Sequence, residues 1–217
     1  METMSLHTNM HDKPDTLYVK EYINYDFISK SPRSRDALIY TMAKGCKALE
    51  ALNVRYWLGR GSVLGFHRDN DFLPTDIDID IDMLGDKEMY QIIHRLPFEP
   101  LFVTINKGHY QQFAFLDRET DVIFDIWSYY ENGGVFTNRN YFGYFWLPKN
   151  ILTTLRPFSF DGVQYPIPDP DWYCDFWYGE NWRIPKRYGN DWSIEYRKDC
   201  KGFMYTGEKD IVQSIYY

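Results

Sequence analysis

Residues 74–83 read PTDIDIDIDM, so that Asp76, Asp78, Asp80 and Asp82 alternate with Ile77, Ile79 and Ile81. Alternation is the period of a β-strand, whose successive side chains point to opposite faces. The isoleucines can bury on one side while the aspartates share the other. Same-face neighbours then stand about 6.6 Å apart, at about 3.3 Å rise per residue. At an effective dielectric near 20, each such like-charged pair costs on the order of 2–3 kcal/mol before screening. A cation would offset that repulsion. Carboxylates without thiolate neighbours suit a hard cation, Mg²⁺ or Mn²⁺. The same row would also fit an edge strand with a solvated acidic face, which blunts sheet-to-sheet aggregation.

Two further stretches carry chemistry. WLGRGSVLG (57–65) places glycines directly after an apolar run. Glycine lets backbone N–H groups approach a phosphate, and the N-terminus of a following helix adds a favourable dipole. Gly61 and Ser62 are the candidate phosphate holders; a tight turn alone would explain the same residues. VIFDIW (122–127) sets a lone carboxylate, Asp125, in an apolar strand. A buried charge needs a partner, and a strand lying beside the aspartate strand would make Asp125 the third carboxylate of a metal site. A strand-end aspartate facing water is the alternative.

The elements that must position these residues follow from periodicity and punctuation. SRDALIYTMAKGCKALEAL (34–52) has helical spacing with Ser34 as N-cap. VRYWL (54–58) is predicted as a strand, 59–69 as a loop opening a short helix, and 86–96 as a helix. LFVTIN (101–106), HYQQFAFL (109–116) and DVIFDIWSY (121–129) are predicted as successive strands, with turns at Lys107-Gly108 and Arg118-Glu119. ENGG (131–134) is a turn from which VFTN pairs back. From about 141 the chain is rich in Pro, Gly and aromatics, and only short helices are expected there, around 147–153 and 170–178. Strands mixed with helices, some strands adjacent, predict an α/β (α+β) domain with a mixed sheet flanked by helices and a small aromatic-rich C-terminal extension. Residues 1–30 are expected to be a loose tail before one domain spanning 31–217.

The 217 residues carry a net charge of −7. An acidic chain is a poor nucleic-acid binder, because that affinity comes from Lys and Arg on phosphates. Cys46, Cys174 and Cys200 match no zinc or redox spacing, so a reducing, cytoplasmic setting is expected. No apolar run is long enough to span a membrane. His7 and His11 stand four apart in the polar tail and are expected to belong to a flexible segment rather than to a metal site.

Together, a Gly-Ser loop opening a helix, an alternating aspartate strand and a third acid on a later strand resemble the nucleotidyltransferase fold of the polymerase-beta type. The closer resemblance is to the LicD/fukutin family within it. That family's pattern is a GTLLG-like loop, an Arg shortly after, an aromatic-hydrophobic-Pro step, then D-x-D-I-D. Here it stands as GSVLGFHRDNDFLPTDIDIDIDM (61–83), with Arg68 and FLP (72–74). The family's Trp before its first aspartate and further Asp after it are Thr75 and Ile77 in this chain. IPDPDWYCDFWYGENWRIPKR (167–187) is similar to the family's closing segment, so the resemblance runs from about 54 to 187.

The resemblance implies transfer of a phosphorylated head group, phosphocholine or a polyol phosphate, from a CDP-linked donor to a sugar or glycan hydroxyl. It implies a metal held by Asp78, Asp80 and Asp125, with Asp76 at a second position and Asp82 beyond the site at the strand end. Asp125 is also the candidate general base. Gly61, Ser62, Arg68 and Lys186 are candidates for donor phosphate, Arg68 because a guanidinium binds phosphate bidentately; a salt bridge from Arg68 to Asp69 or Asp71 is the plainer role. Lys186 and Arg187 belong to a basic run (183–201) that would equally serve as solvated surface. The aromatics of 172–182 are expected to pack the extension onto the sheet, with one or two stacking on substrate. Two other functions fit the same residues: transfer of a nucleoside monophosphate from an NTP, and nucleotide or sugar binding without catalysis.

Overall fold

The structure is a computed structural model that describes residues 31–85, 89–140, 143–186, 199–204 and 213–216. The N-terminal tail and most of the basic run, including Arg187, lie outside the described residues.

Helix α1 (Arg35–Ala51) starts where the sequence predicts, with the Ser34 side chain accepting from the Ala37 amide at 3.3 Å. Strand β1 (Tyr56–Leu58) and helix α2 (Arg60–Arg68) lead to the aspartate strand β2 (Asp78–Leu84). Helix α3 (Tyr90–Arg95) follows, then three long strands: β3 (Glu99–Asn106), β4 (His109–Asp117) and β5 (Val122–Asn132). Lys107 and Gly108 both take positive φ (48° and 78°), the two-residue hairpin geometry that matches strand twist. Strand β6 (Val135–Asn140) pairs back on the end of β5, as ENGG suggests.

Beyond that point the sequence expectation is corrected. A single-turn helix at Lys149–Thr153 and helix α4 (Pro170–Tyr178) form as predicted, but they are interleaved with β7 (Gly143–Pro148), β8 (Arg156–Phe160) and β9 (Val163–Ile167). Proline hid these strands. In the β8–β9 hairpin Pro157 faces Pro166, so two residues without N–H groups share a position where the ladder needs none. Short strands β10 (Phe203–Met204) and β11 (Gln213–Tyr216) complete the described elements.

The described strands form a nine-stranded sheet and the separate β8–β9 hairpin. In the large sheet β5 is the hub. Its first half runs parallel to β2 and antiparallel to β4, and its last residues pair with β6. Strand β1 lies antiparallel on the far side of β2. Helix α1 covers the face that carries Ile79, Ile81 and Phe124, burying Leu38, Met42, Cys46 and Leu49. Helices α2 and α4 pack on each other over the opposite, aspartate-bearing face. No helix among the described residues is long and apolar enough to cross a membrane.

Gly45 sets how closely α1 sits on the sheet. A Cβ there would stand 2.4 Å from the ring of Phe124, which is itself fully buried. Alanine at an unhindered helix position would gain about 1 kcal/mol. Overpacking a full core costs about 1–3 kcal/mol. We therefore expect Gly45→Ala to lower stability by about 1–2 kcal/mol, read as a drop in the urea midpoint without a change in slope.

Candidate active site

The parallel pairing of β2 and β5 builds the site. Asp80 lies opposite Asp125, and Ile79 opposite Phe124. Neighbouring strands are about 4.8 Å apart, so Asp80 and Asp125 stand side by side on the face under α2, with Asp78 one step along β2. Asp76 sits just before the strand, where its carboxylate accepts from the Leu73 amide at 2.8 Å and closes a tight turn.

Like Asp76, the carboxylates of Asp80 and Asp125 accept from named donors. The Gly61 amide, in the first turn of α2, donates to Asp80 Oδ2 at 2.9 Å, and the Asp80 amide donates to Ser62 Oγ at 3.0 Å. A Cβ on Gly61 would lie 2.9 Å from the same carboxylate oxygen, so the loop can come this close only as glycine. Gln112 Nε2 donates to both oxygens of Asp125 (3.0 and 2.9 Å), and Trp127 Nε1 donates to Oδ2 at 3.0 Å.

These donors do not neutralise the cluster. Burial, reinforced by the neighbouring acids, raises the carboxyl pKa values of Asp76, Asp78 and Asp125 from the ordinary 3.8 to about 7, and raises that of Asp80 well above 3.8. Among the described residues, no three carboxylate, His or Cys side chains are arranged to hold an ion as they stand. The donor set nevertheless fits a hard cation: four half-buried carboxylates on one face, all oxygen, each destabilised as an anion by its neighbours.

A pH dependence follows. Groups with raised folded pKa bind more protons folded than unfolded between pH 4 and 7, so stability falls as pH rises through that window. The metal-free protein should thus melt lower at pH 7.5 than at pH 5, opposite to the trend for paired aspartates. Millimolar Mg²⁺ should flatten the slope, as thermal melts with Mg²⁺ and with EDTA will show.

Beneath the carboxylates lies a buried charge cluster. Asp82 is wholly buried, and its Oδ2 accepts from the Tyr173 hydroxyl at 2.6 Å. The same hydroxyl accepts from the Arg60 amide at 3.0 Å. The Arg60 guanidinium stands 3.6 Å from Asp82 Oδ1, donates to the Tyr129 hydroxyl at 2.8 Å, and lies 3.6 Å over the Trp127 ring. Arg60 takes φ +42°, a left-handed conformation unusual outside glycine, at the first turn of α2.

Residues 53–170 match the family model for LicD/FKTN/FKRP, nucleotidyltransferase domain, a span that holds the glycine loop and every aspartate above. The chain belongs to the LicD/FKTN/FKRP family. Ribitol 5-phosphate transferase FKRP from mouse and from human are each 26% identical to it over 134 residues. Each match covers 56% of this chain and 26% of the relative, so the chain spans about a quarter of the length of these curated relatives. Among solved structures it is similar to lincosamide antibiotic adenylyltransferase LnuA, lincomycin-bound, at 15% identity and TM-score 0.46, covering 76% of this chain and 97% of that one. Antibiotic-resistance factor ANT(2'')-Ia is similar at 15% identity and TM-score 0.46, covering 77% and 84%.

In this LicD-family chain the predicted site residues divide into three groups. Asp76, Asp78, Asp80 and Asp125 share the face under α2. Gly61 and Ser62 stand beside them, but their hydrogen bonds to Asp80 use the Gly61 N–H and a Ser62 lone pair, leaving the serine proton to donate. Arg68 and Lys186 both line a cavity of about 380 Å³ that opens beside Thr75. Arg68 is paired with Asp69 (3.0 and 2.8 Å) and Lys186 with Asp199 (2.5 Å).

Asp82 departs from its expected place. Strand β2 continues to Leu84, so Asp82 lies inside the strand and under α2, not at the strand end. Arg60, Gln112 and Trp127 went unpredicted; Tyr173, one of the aromatics expected to pack the C-terminal extension onto the sheet, is buried there and also donates to Asp82. The available signal for Arg60 was a charged residue clamped between two glycines, which reads as loop until its aromatic cage is seen.

Proposed function

We propose that this LicD-family protein is a divalent-cation-dependent phosphotransferase. It moves a phosphorylated head group, phosphocholine or a polyol phosphate, from a CDP-linked donor to a sugar or glycan hydroxyl. The observation that carries the proposal is the register placing Asp80 opposite Asp125, with Asp78 and Asp76 on the same face.

Phosphoryl transfer needs positioning and charge stabilisation more than covalent chemistry. Asp78, Asp80 and Asp125 would hold Mg²⁺ or Mn²⁺, with Asp76 serving a second position. The bound cation would supply charge neutralisation at the donor diphosphate. Gln112 and Trp127 fix the orientation of Asp125 with three donated hydrogen bonds and leave one Oδ1 lone pair, which would either ligate the ion or accept the acceptor hydroxyl's proton. The Ser62 hydroxyl donates to a phosphate oxygen. Arg68 and Lys186 line the cavity that opens beside Thr75, and there they would exchange Asp69 and Asp199 for a diphosphate.

The relatives' name makes ribitol 5-phosphate the first head group to try. The products distinguish this chemistry from its neighbours. With CDP-ribitol, CDP-glycerol or CDP-choline, a sugar acceptor and Mg²⁺, mass spectrometry should find CMP. Pyrophosphate from an NTP would instead make the protein a nucleotidyl transferase.

A further inference from the structure

The cavity beside the aspartates is chemically two-sided. Its lining is largely hydrocarbon and aromatic, including Leu64, Leu73, Tyr178, Ile184 and Pro185, and its charged and hydroxyl groups come from Arg68, Lys186, Thr75 and the phenol of Tyr178. At about 380 Å³ it is of small-molecule size. It adjoins the carboxylates. Pro74 and Thr75 run directly into Asp76, and a Cβ on Gly61 would lie between Asp80 Oδ2 (2.9 Å) and Leu73 Cδ1 (3.9 Å).

Ile184 stands 63% exposed at this cavity, one of three large apolar side chains left open among the described residues. A turn after α4 holds it there, its amide donating to Asn181 O at 3.0 Å. Trp182, next to it, is fixed as wall: His67 stacks on its ring at 4.9 Å and the Arg183 guanidinium lies 4.1 Å from it. The open apolar surface is therefore preformed, and covering Ile184 on binding would be favourable.

Resting on the transfer chemistry above, we infer that this cavity holds the nucleoside end of the donor, with the base against Leu64, Tyr178 and Ile184 and the diphosphate turned towards Asp76 and Asp78. The lining decides between base and sugar. A sugar or polyol carries a hydroxyl on nearly every carbon, and each one desolvated without a partner is costly. Beyond Thr75, the Tyr178 hydroxyl and the two cations, the side chains Leu64, Leu73, Pro74, Ile184 and Pro185 offer a hydroxyl no partner. A base has two apolar faces and polar groups only at its edge. Arg68 and Lys186 then meet the phosphates as they leave the cavity.

CMP and ribose 5-phosphate share the phosphate and pentose but not the base. Titrated by calorimetry with Mn²⁺ present, CMP should bind at least tenfold more tightly than ribose 5-phosphate. Ile184→Asp, at an exposed position that leaves the core intact, should remove at least tenfold of the CMP affinity while Mn²⁺ affinity and melting temperature stay unchanged. Equal binding of the two ligands, no CMP binding, or CMP binding indifferent to Ile184→Asp would overturn the inference. Binding needs no turnover, so the two proposals fail separately. CMP bound through Ile184 with no donor consumed sinks the transfer chemistry alone, and CMP release indifferent to Ile184→Asp sinks the cavity assignment alone.

Discussion

Asp80→Asn is expected to lower turnover by on the order of 10³-fold while raising the melting temperature of the metal-free protein. The two effects have one cause. A metal ion contributes several kcal/mol of transition-state charge stabilisation, and each 1.36 kcal/mol is tenfold in rate. Losing a ligand that faces Asp125 across β2 and β5 should remove most of that term. The same carboxylate is a liability without the ion, because it is raised well above its ordinary pKa by burial and by Asp78. Asparagine keeps the shape, and its Oδ1 can still accept from the Gly61 amide. It removes one negative charge from the row. Turnover within tenfold of the parent, measured as CMP release at saturating Mg²⁺, would remove Asp80 from the metal site. A lowered melting temperature at pH 8 with EDTA would show that the row is not electrostatically strained.

The second large effect lies beneath the site. Arg60→Met should destabilise the protein by about 3–5 kcal/mol, the scale for breaking a buried ion pair from one side. Asp82 would be left wholly buried with Tyr173 as its partner, and the cation stacked on Trp127 would be gone. Burial already raises the Asp82 pKa against the pull of Arg60, so without Arg60 it would rise further and the residue would neutralise by taking a proton. The loss should therefore be larger at pH 8 than at pH 5. Arg60→Met combined with Asp82→Asn should recover part of the loss, giving a favourable coupling in a double-mutant cycle read by urea unfolding. Additive losses would mean that the two side chains do not act as a pair.

The central sheet was legible because its signals are local and agree. Strict alternation in β2, β-rich runs in β3, β4 and β5, and the Lys107-Gly108 turn each specify the same answer. Ser34 at the start of α1 and Pro170 at the start of α4 are likewise local. The strands β7, β8 and β9 were not legible, because Pro148, Pro157 and Pro166 argue against a strand until the facing residue is known. Facing residues are a long-range property. The same limit applies to the site. The alternation of Asp76 to Asp82 is visible in one line of sequence, and so is a lone Asp125 in an apolar run. That Asp80 stands opposite Asp125, while Asp82 drops under α2 to meet Arg60 and Tyr173, depends on the β2–β5 register and on a helix more than 90 residues away. Gln112 carried no signal at all; it is one of two adjacent glutamines at the start of an apolar run until β4 is laid beside β5.

The most direct test of the account is a Mn²⁺ titration of the purified protein at pH 7.5, followed by calorimetry in two buffers of different ionisation enthalpy. The carboxylates carry protons near pH 7 when empty, so an ion entering the row must displace them. Saturable binding with net proton release is expected, lost in both Asp78→Asn and Asp80→Asn. Absence of saturable binding at millimolar Mn²⁺, or binding that survives both substitutions, would contradict the metal-site assignment.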